Sequence, residues 1–556
     1  MSLKRDLLKY QPRKEQRECL DFIDSEYKKN KENKFFLLNL PVGTGKSHLA
    51  LMIADWYLKT VNGNAKFDVI TNSKILQDQY VETYESINDL KGKENYECTQ
   101  YSCSCAQGNE FNRLNKTNCE FCPHSAAREG FVSGRMSLTN FYLYILFQLY
   151  MTKMMDNRGG NVLIVDEAHD FDDVMSDFIS IKITETVVKR LKFSNEDQII
   201  RDLKKVSSIS GYIEFLKGLQ GEIATTISEV ERSMGQTKRT VKSVKRENAV
   251  NKVLGGKNSD IKLMQIVTDL QQYQSKIEIF LKEYNANPNN WVLESNYNEK
   301  TKQKELSLEP IWAFDYLDKY VFSKYDMVFL MSGTILDKNL FCQLNGLDVE
   351  KAIYYSIESP FPVKNRPVYY MPLGKMSYKS KDDTFKNYIP LIHKILNKYS
   401  DKKGIIHTNS FELASWISRD IKDPRLVYHD SSNKDEVLQE HFDTDKPTVI
   451  VSPSLSVGVS FDDDKARFQV IAKVPYPSLA SQKNKLRQKM NPDWYSWRTV
   501  GSVCQMAGRP IRSVDDYADT IIIDSNFGDL LRYSGHLFPQ WFLDSIKKVE
   551  IKQKDK

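Results

Sequence analysis

Glycine, lysine and serine occur together in the segment 41–47, PVGTGKS, which follows a short apolar run. Gly43 and Gly45 allow the backbone to curl so that its N–H groups point into the turn, as a bound phosphate requires. Lys46 is placed to neutralise the terminal phosphates of a nucleotide, and the Ser47 hydroxyl is placed to bind Mg²⁺ at the start of a helix. Strict phosphate loops carry a further glycine five residues before Gly45, where this chain has leucine. The alternative is a strand-to-helix turn whose lysine is solvated.

Two adjacent carboxylates, Asp166 and Glu167, come directly after the apolar run NVLIV. A carboxylate at the end of a buried strand can hold Mg²⁺, and its neighbour can orient the water that attacks a phosphate. An acidic cluster after a strand is often only solvated. A phosphate loop after one strand and paired acids after another nevertheless predict a site that hydrolyses ATP.

Two arginines, Arg509 and Arg512, lie within the segment QMAGRPIR far beyond the acids. Their spacing of three predicts that they share one face of a helix. Arginine is suited to stabilising the charge that develops on a phosphoryl group during transfer. The alternative is a surface helix with two salt-bridged arginines, and the motif in isolation favours that interpretation.

Five of the eight cysteines lie within 25 residues of one another. They are Cys98, Cys103, Cys105, Cys119 and Cys122. In a large intracellular chain such a cluster indicates metal ligation or redox chemistry ahead of a disulfide framework. Four thiolates can hold either a [4Fe–4S] cluster or a tetrahedral Zn²⁺, and the spacing by itself slightly favours zinc. Since four ligands are sufficient, we expect either Cys103 or Cys105 to be spare.

The overall composition is that of a large globular protein. Its 556 residues are 41% apolar and 27% charged, which excludes disordered and fibrous classes and predicts about three or four domains. The net charge of +6 permits a polyanionic partner without requiring one. The start of the chain lacks the apolar core of a signal peptide, and the most apolar run, 141–151, is shorter than the ~20 residues of a membrane span. We therefore expect no membrane association and a cytoplasmic location, associated with the nucleoid or in a host cytoplasm, or a nuclear one in a eukaryote.

The elements that must position these side chains are predicted from short runs rich in Val and Ile. They lie at 35–40, 67–71, 161–165, 327–331, 404–408, 448–452, 468–474 and 520–524. Helical patterns separate most of them, which predicts α/β domains whose parallel sheets carry helices on both faces. Between about 180 and 300 no buried strand is expected, and apolar residues from Leu263 to Phe280 recur at helical spacing. This stretch is predicted to be a helical domain inserted into the first α/β domain.

Taken in order, these motifs resemble those of superfamily 2 helicases, and more narrowly the XPD/DinG-like iron–sulfur DNA helicases. The resemblance covers almost the whole chain. Further segments match family motifs: Arg13 to Gln16 the adenine-reading element, Thr71 to Gln77 the strand-gripping motif Ia, Thr139 to Phe141 an Asn-centred turn, Ser332 to Thr334 motif III, Ser454 to Gly458 motif V, and Gln505 to Arg512 motif VI. The four residues from Asp166 to His169 read DEAH.

The resemblance implies two RecA-like motor domains, with a small Cys-rich metal lobe and a helical arch inserted in the first. The implied boundaries are 1–90, 130–180 and 321–345 for the first motor, 91–129 for the lobe, 181–320 for the arch and 346–556 for the second motor. Implied nucleotide contacts are Gln16, Gly43, Thr44, Gly45, Lys46, Ser47 and Asp166. Implied catalytic residues are Lys46, Asp166, Glu167, Gln505, Arg509 and Arg512, with both arginines supplied across the cleft.

The implied activity is that of a monomeric, ATP- and Mg²⁺-dependent DNA helicase of repair or replication, which travels 5′ to 3′ on single-stranded DNA and opens duplex junctions. The family also shifts the expected metal from zinc to a [4Fe–4S] cluster. An RNA-directed helicase is one alternative, because RNA motors share the DEAH letters. Another is a nucleic-acid-binding scaffold switched by ATP, because the family often has acidic residues beside the motif V glycine, where this chain has Val457 and Ser460.

Overall fold

The structure is a computed structural model of the 556-residue chain. It describes residues 2–115, 119, 121–241, 249–298, 302–430, 432–454, 461 and 463–549.

The described residues form strands and helices over the following ranges. The strands are β1 Phe35–Asn39, β2 Phe67–Thr71, β3 Ile87–Asp89, β4 Met136–Asn140, β5 Val162–Asp166, β6 Ile181–Thr184, β7 Trp291–Asn298, β8 Gln303–Pro310, β9 Met327–Ser332, β10 Ala352–Ser356, β11 Val368–Tyr370, β12 Gly404–His407, β13 Leu426–Tyr428, β14 Val449–Ser452, β15 Phe468–Ile471, β16 Asp519–Ile522 and β17 Ile546–Lys548. The α-helices are α1 Ser2–Lys9, α2 Lys14–Lys29, α3 Lys46–Thr60, α4 Lys74–Thr83, α5 Cys105–Asn115, α6 Pro123–Ser133, α7 Phe141–Tyr150, α8 Thr152–Arg158, α9 Phe171–Ile179, α10 Glu185–Leu191, α11 Glu196–Lys205, α12 Ile209–Val241, α13 Ala249–Ala286, α14 Phe314–Tyr320, α15 Lys338–Asn345, α16 Lys381–Lys398, α17 Phe411–Asp420, α18 Lys434–Asp443, α19 Gln482–Met490, α20 Pro492–Gly508, α21 Asn526–Ser534 and α22 Gln540–Leu543.

The first sheet has seven parallel strands in the order β10-β1-β9-β5-β2-β4-β3. Its central strands are almost continuously apolar because helices cover both faces. On β1, Leu37 packs into one core while Phe36 and Leu38 pack into the other. The register places Asn39 opposite Ser332, and Asp166 opposite Met331, so the ends of three strands lie along one edge. The predicted phosphate loop and acid pair follow two of these ends.

The second sheet also has seven parallel strands, in the order β13-β14-β12-β15-β16-β11-β17. The predicted α/β fold with two parallel-sheet motor domains is therefore confirmed. The core on one face of the first sheet also includes Trp494 and Val500 of α20 and Ile522 of β16. The two motor domains consequently share buried apolar contacts along α20.

The insertion into the first motor domain contains strands as well as the predicted helices. The long helices α12 and α13 pack against each other, and α13 includes the apolar series from Leu263 to Phe280. The expectation of no strand was wrong, because β6, β7 and β8 form an antiparallel sheet at the base of these helices. Only part of β7 is buried and its far end is polar and exposed, so its sequence lacks a continuous apolar run.

The predicted boundary between the two motors at 345/346 was placed too early. Strand β10 pairs in parallel with β1, with Ala352 opposite Phe35 and Ser356 opposite Asn39, so it belongs to the first sheet. The other predicted boundaries stay predictions. None of the helices in the part of the chain that the structure describes is both long and apolar enough to cross a bilayer.

Candidate active site

The phosphate loop leaves β1 and enters α3 through two glycines in the left-handed region. Gly43 has φ of +82° and Gly45 has φ of +75°, conformations that favour glycine over every other residue. A Cβ on Gly43 would also lie 2.3 Å from the Phe361 ring, so a larger residue does not fit there. The loop is closed internally, because the Thr44 hydroxyl donates to the Pro41 carbonyl at 2.8 Å.

Gln16, the predicted adenine-reading residue, fastens the backbone of this loop. Its side-chain amide is buried and donates to the carbonyls of Thr44 at 3.1 Å and Gly45 at 2.9 Å. Its side-chain oxygen accepts from the Arg13 backbone N–H at 2.9 Å, which anchors the start of α2. The structure therefore gives Gln16 a role in holding the loop, and the adenine contact stays a prediction.

Lys46 and the two acids form a compact charged group. Lys46 Nζ lies 2.9 Å from Glu167 Oε1. Asp166 ends β5, where its carboxylate accepts from the Tyr80 hydroxyl at 3.1 Å and from the Glu167 backbone N–H at 3.0 Å. Glu167 adopts a left-handed φ of 58°, which turns the chain sharply after the strand. Ser47 lines the same cavity at the first turn of α3.

Burial and charge set the ionisation of this group. Burial raises the pKa of Asp166 to about 6, although the Lys46 charge opposes it. Burial also pushes the pKa of Glu167 upwards, but Lys46 outweighs it and leaves that pKa below its ordinary value. Burial by itself lowers the pKa of Lys46, and the charges of Glu167 and Asp166 more than offset it. The lysine is therefore charged and faces a carboxylate that is also charged.

His169 joins three motifs within one hydrogen-bonded set. Its Nδ1 lies 2.8 Å from the Ser332 hydroxyl at the end of β9, and its Nε2 contacts the side-chain amide of Gln505. Gln505 also donates to the Thr334 hydroxyl at 3.2 Å. The acid segment, motif III and motif VI are thus brought together, with Gln505 crossing from the second motor.

The two predicted arginines reach the site from a turn, not from a helix face. Helix α20 ends at Gly508, and Pro510 prevents its continuation, so the expectation of a shared helix face was wrong. Arg509 is buried, and burial followed by the Arg512 charge lowers its pKa to about 10, so it stays protonated at neutral pH. The Arg512 backbone N–H donates to Asp516 at 3.2 Å, which fixes the turn.

A cavity of about 470 Å³ lies between the two sheets and collects most of the predicted site. Its lining includes Gly43, Gly45, Lys46, Ser47, Asp166, Glu167, Gln505, Arg509 and Arg512. The motors are close here, since a Cβ on Gly508 would lie 3.5 Å from Val42. Such a cleft between two parallel sheets, at the ends of their strands, can hold a triphosphate with a cation on each side.

Several cavity residues were missed by sequence reasoning. They include Arg366, Lys465 and Trp541. Arg366 is buried, donates to the Phe361 carbonyl at 3.0 Å and stacks over Trp541 at 5.3 Å. Isolated arginines and aromatics carry no spacing signal, so only the three-dimensional structure reveals them. Motif V could not be placed, because Val457, Gly458 and Ser460 lie outside the described residues.

The five cysteines lie together in the lobe between β3 and β4, all as free thiols. The Cys98 thiol contacts those of Cys103 and Cys119, and the Cys105 thiol contacts that of Cys122. Among the described residues, no three or more His, Cys, Asp or Glu side chains converge on one metal position.

The donor set nevertheless suits a thiolate-bound metal group. Glycine at position 108 of α5 leaves room beside Cys98, because a Cβ there would lie 2.5 Å from its sulfur. The Cys98 backbone N–H donates to the Cys103 carbonyl at 2.8 Å, which folds this part of the lobe into a tight turn. The cysteine side chains of the lobe are therefore chemically suited to bind an iron–sulfur cluster or a metal ion.

Comparison with known families divides the chain into two matching parts. Residues 392–545 match a family described as helicase C-terminal domain. Residues 9–195 match a family described as type III restriction enzyme, res subunit. The helicase C-terminal match falls in the second motor. The match over 9–195 falls mostly in the first motor.

Curated relatives resemble the chain at low identity. The ATP-dependent DNA helicase CHL1 of Vanderwaltozyma polyspora is 20% identical over 481 residues, which cover 73% of this chain and 56% of that protein. A probable ATP-dependent helicase of Methanocaldococcus jannaschii is 22% identical over 92% of this chain and 91% of its own length. The chain spans less than three fifths of the length of the three CHL1 relatives it matches.

Solved structures share the fold over nearly the whole chain. An XPD helicase superposes with a TM-score of 0.59 at 15% identity, covering 97% of this chain and 100% of the other. Xpd4 of S. tokodaii superposes with a TM-score of 0.57 at 13% identity, again covering 97% and 100%. At these identities the likeness establishes the fold, and the function must be argued from the site.

Proposed function

We propose that this chain, which belongs to the XPD-like superfamily 2 helicases, is an ATP-dependent DNA helicase that travels 5′ to 3′ on single-stranded DNA. The observation that carries the proposal is the convergence on one cavity of a lysine, two acids and two arginines from separate motor domains. Such an arrangement lets nucleotide occupancy set the distance between the motors. The direction of travel rests on the family resemblance.

The residues divide the work of hydrolysis by position. Lys46 neutralises the terminal phosphates once they displace Glu167 from its ammonium group. Ser47 and Asp166 are the residues placed to hold Mg²⁺, which neutralises phosphate charge when bound. Glu167, released from Lys46, orients the attacking water. Arg509 and Arg512 supply positive charge from the other motor as the phosphoryl group leaves.

Motion follows from the position of the arginines. Because they lie on the second motor and the phosphate loop lies on the first, a bound triphosphate attracts both motors, and phosphate release removes that attraction. If the closed and open cleft grip a strand differently, each cycle moves the strand by one step. Contacts to the nucleic-acid backbone would supply most of the affinity.

The deciding experiment measures strand separation of duplexes that carry a 5′ or a 3′ single-stranded tail, with and without ATP. We expect ATP-dependent opening of the 5′-tailed duplex only. Opening of the 3′-tailed duplex alone would reverse the proposed direction. ATP hydrolysis without opening of either duplex would favour an ATP-switched scaffold, and stronger stimulation by RNA than by matched DNA would favour an RNA helicase.

We also propose that the lobe binds a [4Fe–4S] cluster through Cys98, Cys119, Cys122 and either Cys103 or Cys105. Among the described residues of the lobe, none belongs to the buried apolar clusters of the protein, so a bound cluster would hold its chain segments together. Visible and electron-resonance spectra of anaerobically purified protein test this. A colourless protein with one zinc per chain would establish the zinc alternative. We expect Cys122→Ser to lose unwinding and to keep much of its ATP binding.

A helicase of this kind acts at junctions between single-stranded and duplex DNA, in the compartment that holds the genome. We propose that it acts as a monomer, because the nucleotide cavity is complete within one chain. Sedimentation with and without a tailed duplex tests that assignment.

A further inference from the structure

Arg498 of α20 reaches from the second motor into the first at a point outside the nucleotide cavity. Its Nη1 donates to the His169 carbonyl at 2.7 Å. Its Nη2 pairs with Asp173 and lies 3.8 Å from Asp170 Oδ1. The guanidinium thus holds the backbone of the acid segment and both flanking carboxylates. Sequence reasoning gave Arg498 no role.

The carboxylate of Asp170 extends this contact to the strand-gripping motif. Its Oδ2 accepts from the Asn72 side-chain amide at 3.1 Å and lies 3.3 Å from His169 Nε2. Asn72 directly follows β2 and precedes α4, whose first turn is capped by Ser73. A displacement of Asn72 by a bound strand would therefore change the contacts of Asp170, and Asp170 is itself a partner of Arg498.

The junction has space in which side chains can rearrange. A cavity of about 190 Å³ lies beside it, lined by His169, Asp170 and Thr334 of the first motor and by Trp497, Arg498, Gly501, Ser502 and Gln505 of the second. His169, Thr334 and Gln505 line both this cavity and the nucleotide cavity. Changes around Arg498 can consequently reach the nucleotide site through three residues that touch both spaces.

A second arginine, on the neighbouring helix α19, connects to a different part of the first motor. Arg487 of α19 donates to Asp173 Oδ1 at 3.0 Å and to the Ile311 carbonyl at 2.6 Å, and it stacks on Trp312 and Trp494. It therefore fixes α19 to the base of the inserted arch. Arg498 shares Asp173 with it but leads instead to Asp170 and Asn72.

We propose that Arg498 is a positioning residue that couples the strand-gripping turn at Asn72 to the nucleotide site through Asp170 and His169. The inference deepens the proposed function and rests on it. Strand binding shifts the partners of Asp170, Arg498 transmits that shift to the His169 backbone, and the His169 ring passes it to Gln505 and Ser332. Loss of this coupling should reduce the stimulation of ATP hydrolysis by nucleic acid and leave the affinity for nucleotide unchanged.

The test is steady-state ATP hydrolysis by Arg498→Gln, titrated with single-stranded DNA. We expect the DNA-free rate and the KM for ATP to stay within about twofold of the wild type, and the stimulation by DNA to fall by about tenfold. Arg498→Lys keeps the charge and loses the fork of donors, so we expect intermediate stimulation. Arg419→Gln is the matched control, because this arginine lies on the surface of the second motor and pairs with its neighbour Asp420.

The outcomes separate this inference from the proposed function. If DNA does not stimulate the wild type, the helicase proposal fails and this inference fails with it. If DNA stimulates the wild type and Arg498→Gln equally, only the inference fails. Equal loss of the DNA-free and stimulated rates would assign Arg498 a merely structural role and overturn the inference. Should Arg498→Gln not fold, unchanged stimulation of Arg498→Lys would overturn it equally.

Discussion

Lys46 and Glu167 form an ion pair in the nucleotide cavity. Their side chains are 2.9 Å apart, and each is held in its charged form by the other. A phosphate that binds Lys46 must break this pair, and the carboxylate is then free to orient water. Binding and activation are therefore linked at one contact, which would prevent the carboxylate from acting on water in an empty site.

Replacing Lys46 by alanine should bring DNA-stimulated ATP hydrolysis close to background, because the terminal phosphates lose their cation and Glu167 loses its partner. Phosphate release measured at saturating DNA checks this. Lys59→Ala on the same helix is the control, because that side chain is exposed and pairs with Asp55 on the surface. Substantial turnover in Lys46→Ala would remove the lysine from this role.

Asp172 is a buried acid beside the contacts of Arg498. Burial and the neighbouring Asp173 raise its pKa to about 6, although Arg498, Arg487 and Lys483 oppose the shift. The folded protein therefore binds this proton more tightly than the unfolded chain does. The contribution of Asp172 to the free energy of unfolding therefore falls as the pH rises from about 4 to about 6, where the folded carboxyl loses its proton.

Asp172→Asn should consequently stabilise the protein at pH 8 by up to about 3 kcal/mol, and by less at pH 4.5, where the native carboxyl is already neutral. Denaturant unfolding of both proteins at the two pH values gives the comparison. An equal difference at both pH values would contradict a penalty caused by the buried charge.

Single elements were predictable where one physical demand dominates the local sequence. Short apolar runs predicted the four adjacent inner strands of each motor sheet, because helices cover both faces there, and missed the strands towards the edges. The glycines of the phosphate loop predicted its left-handed turn. The antiparallel strands β7 and β8 were missed because polar residues occupy their exposed positions. The spacing of Arg509 and Arg512 predicted a helix that continues through both, but α20 ends before Pro510. Contacts between distant elements, such as Arg498 with Asp173, leave no local pattern at all.

One such contact fastens the base of the first sheet. Arg158, the last residue of α8, is fully buried. It donates to Asp68 at 2.9 Å and to the carbonyls of Phe67 at 2.8 Å and Gly134 at 2.5 Å. The pair joins β2 to α8 and to the turn before β4. Removing the arginine takes the cationic partner away from the buried Asp68 side chain, which still contacts the Tyr325 hydroxyl.

Arg158→Ala should therefore lower the free energy of unfolding of the first motor by about 3–5 kcal/mol. Urea unfolding followed by tryptophan fluorescence measures the change. Arg201→Ala, on the surface of α11, should stay within about 0.5 kcal/mol of the wild type. A loss below about 1 kcal/mol for Arg158→Ala would show that water replaces the arginine.

At the scale of the whole molecule, one cleft has to serve two motors at once. The phosphate loop lies on one wall and the turn after α20 lies on the other, with Phe361 touching the loop from the segment between the two sheets. A ligand that fills the cavity must then order both walls together. The same ligand cannot act on one motor alone.

Amide hydrogen exchange can show this joint response. A non-hydrolysable ATP analogue with Mg²⁺ should slow exchange in segments 41–47 and 505–512 together, because both line the cavity. The protection should be lost from both segments in Lys46→Ala. Protection confined to segment 41–47 would mean that the nucleotide binds the first motor without recruiting the second.

The small antiparallel sheet at the base of the arch brings the entry and exit of the insertion side by side, with Ile181 paired to Leu308. To the motor beneath, the whole excursion is equivalent to a short surface loop, whatever its length. The arch can therefore be lengthened, shortened or replaced by a segment of another protein during evolution without disturbing the first motor. An insertion site of this kind would let the same pair of motor domains acquire new contacts with nucleic acid.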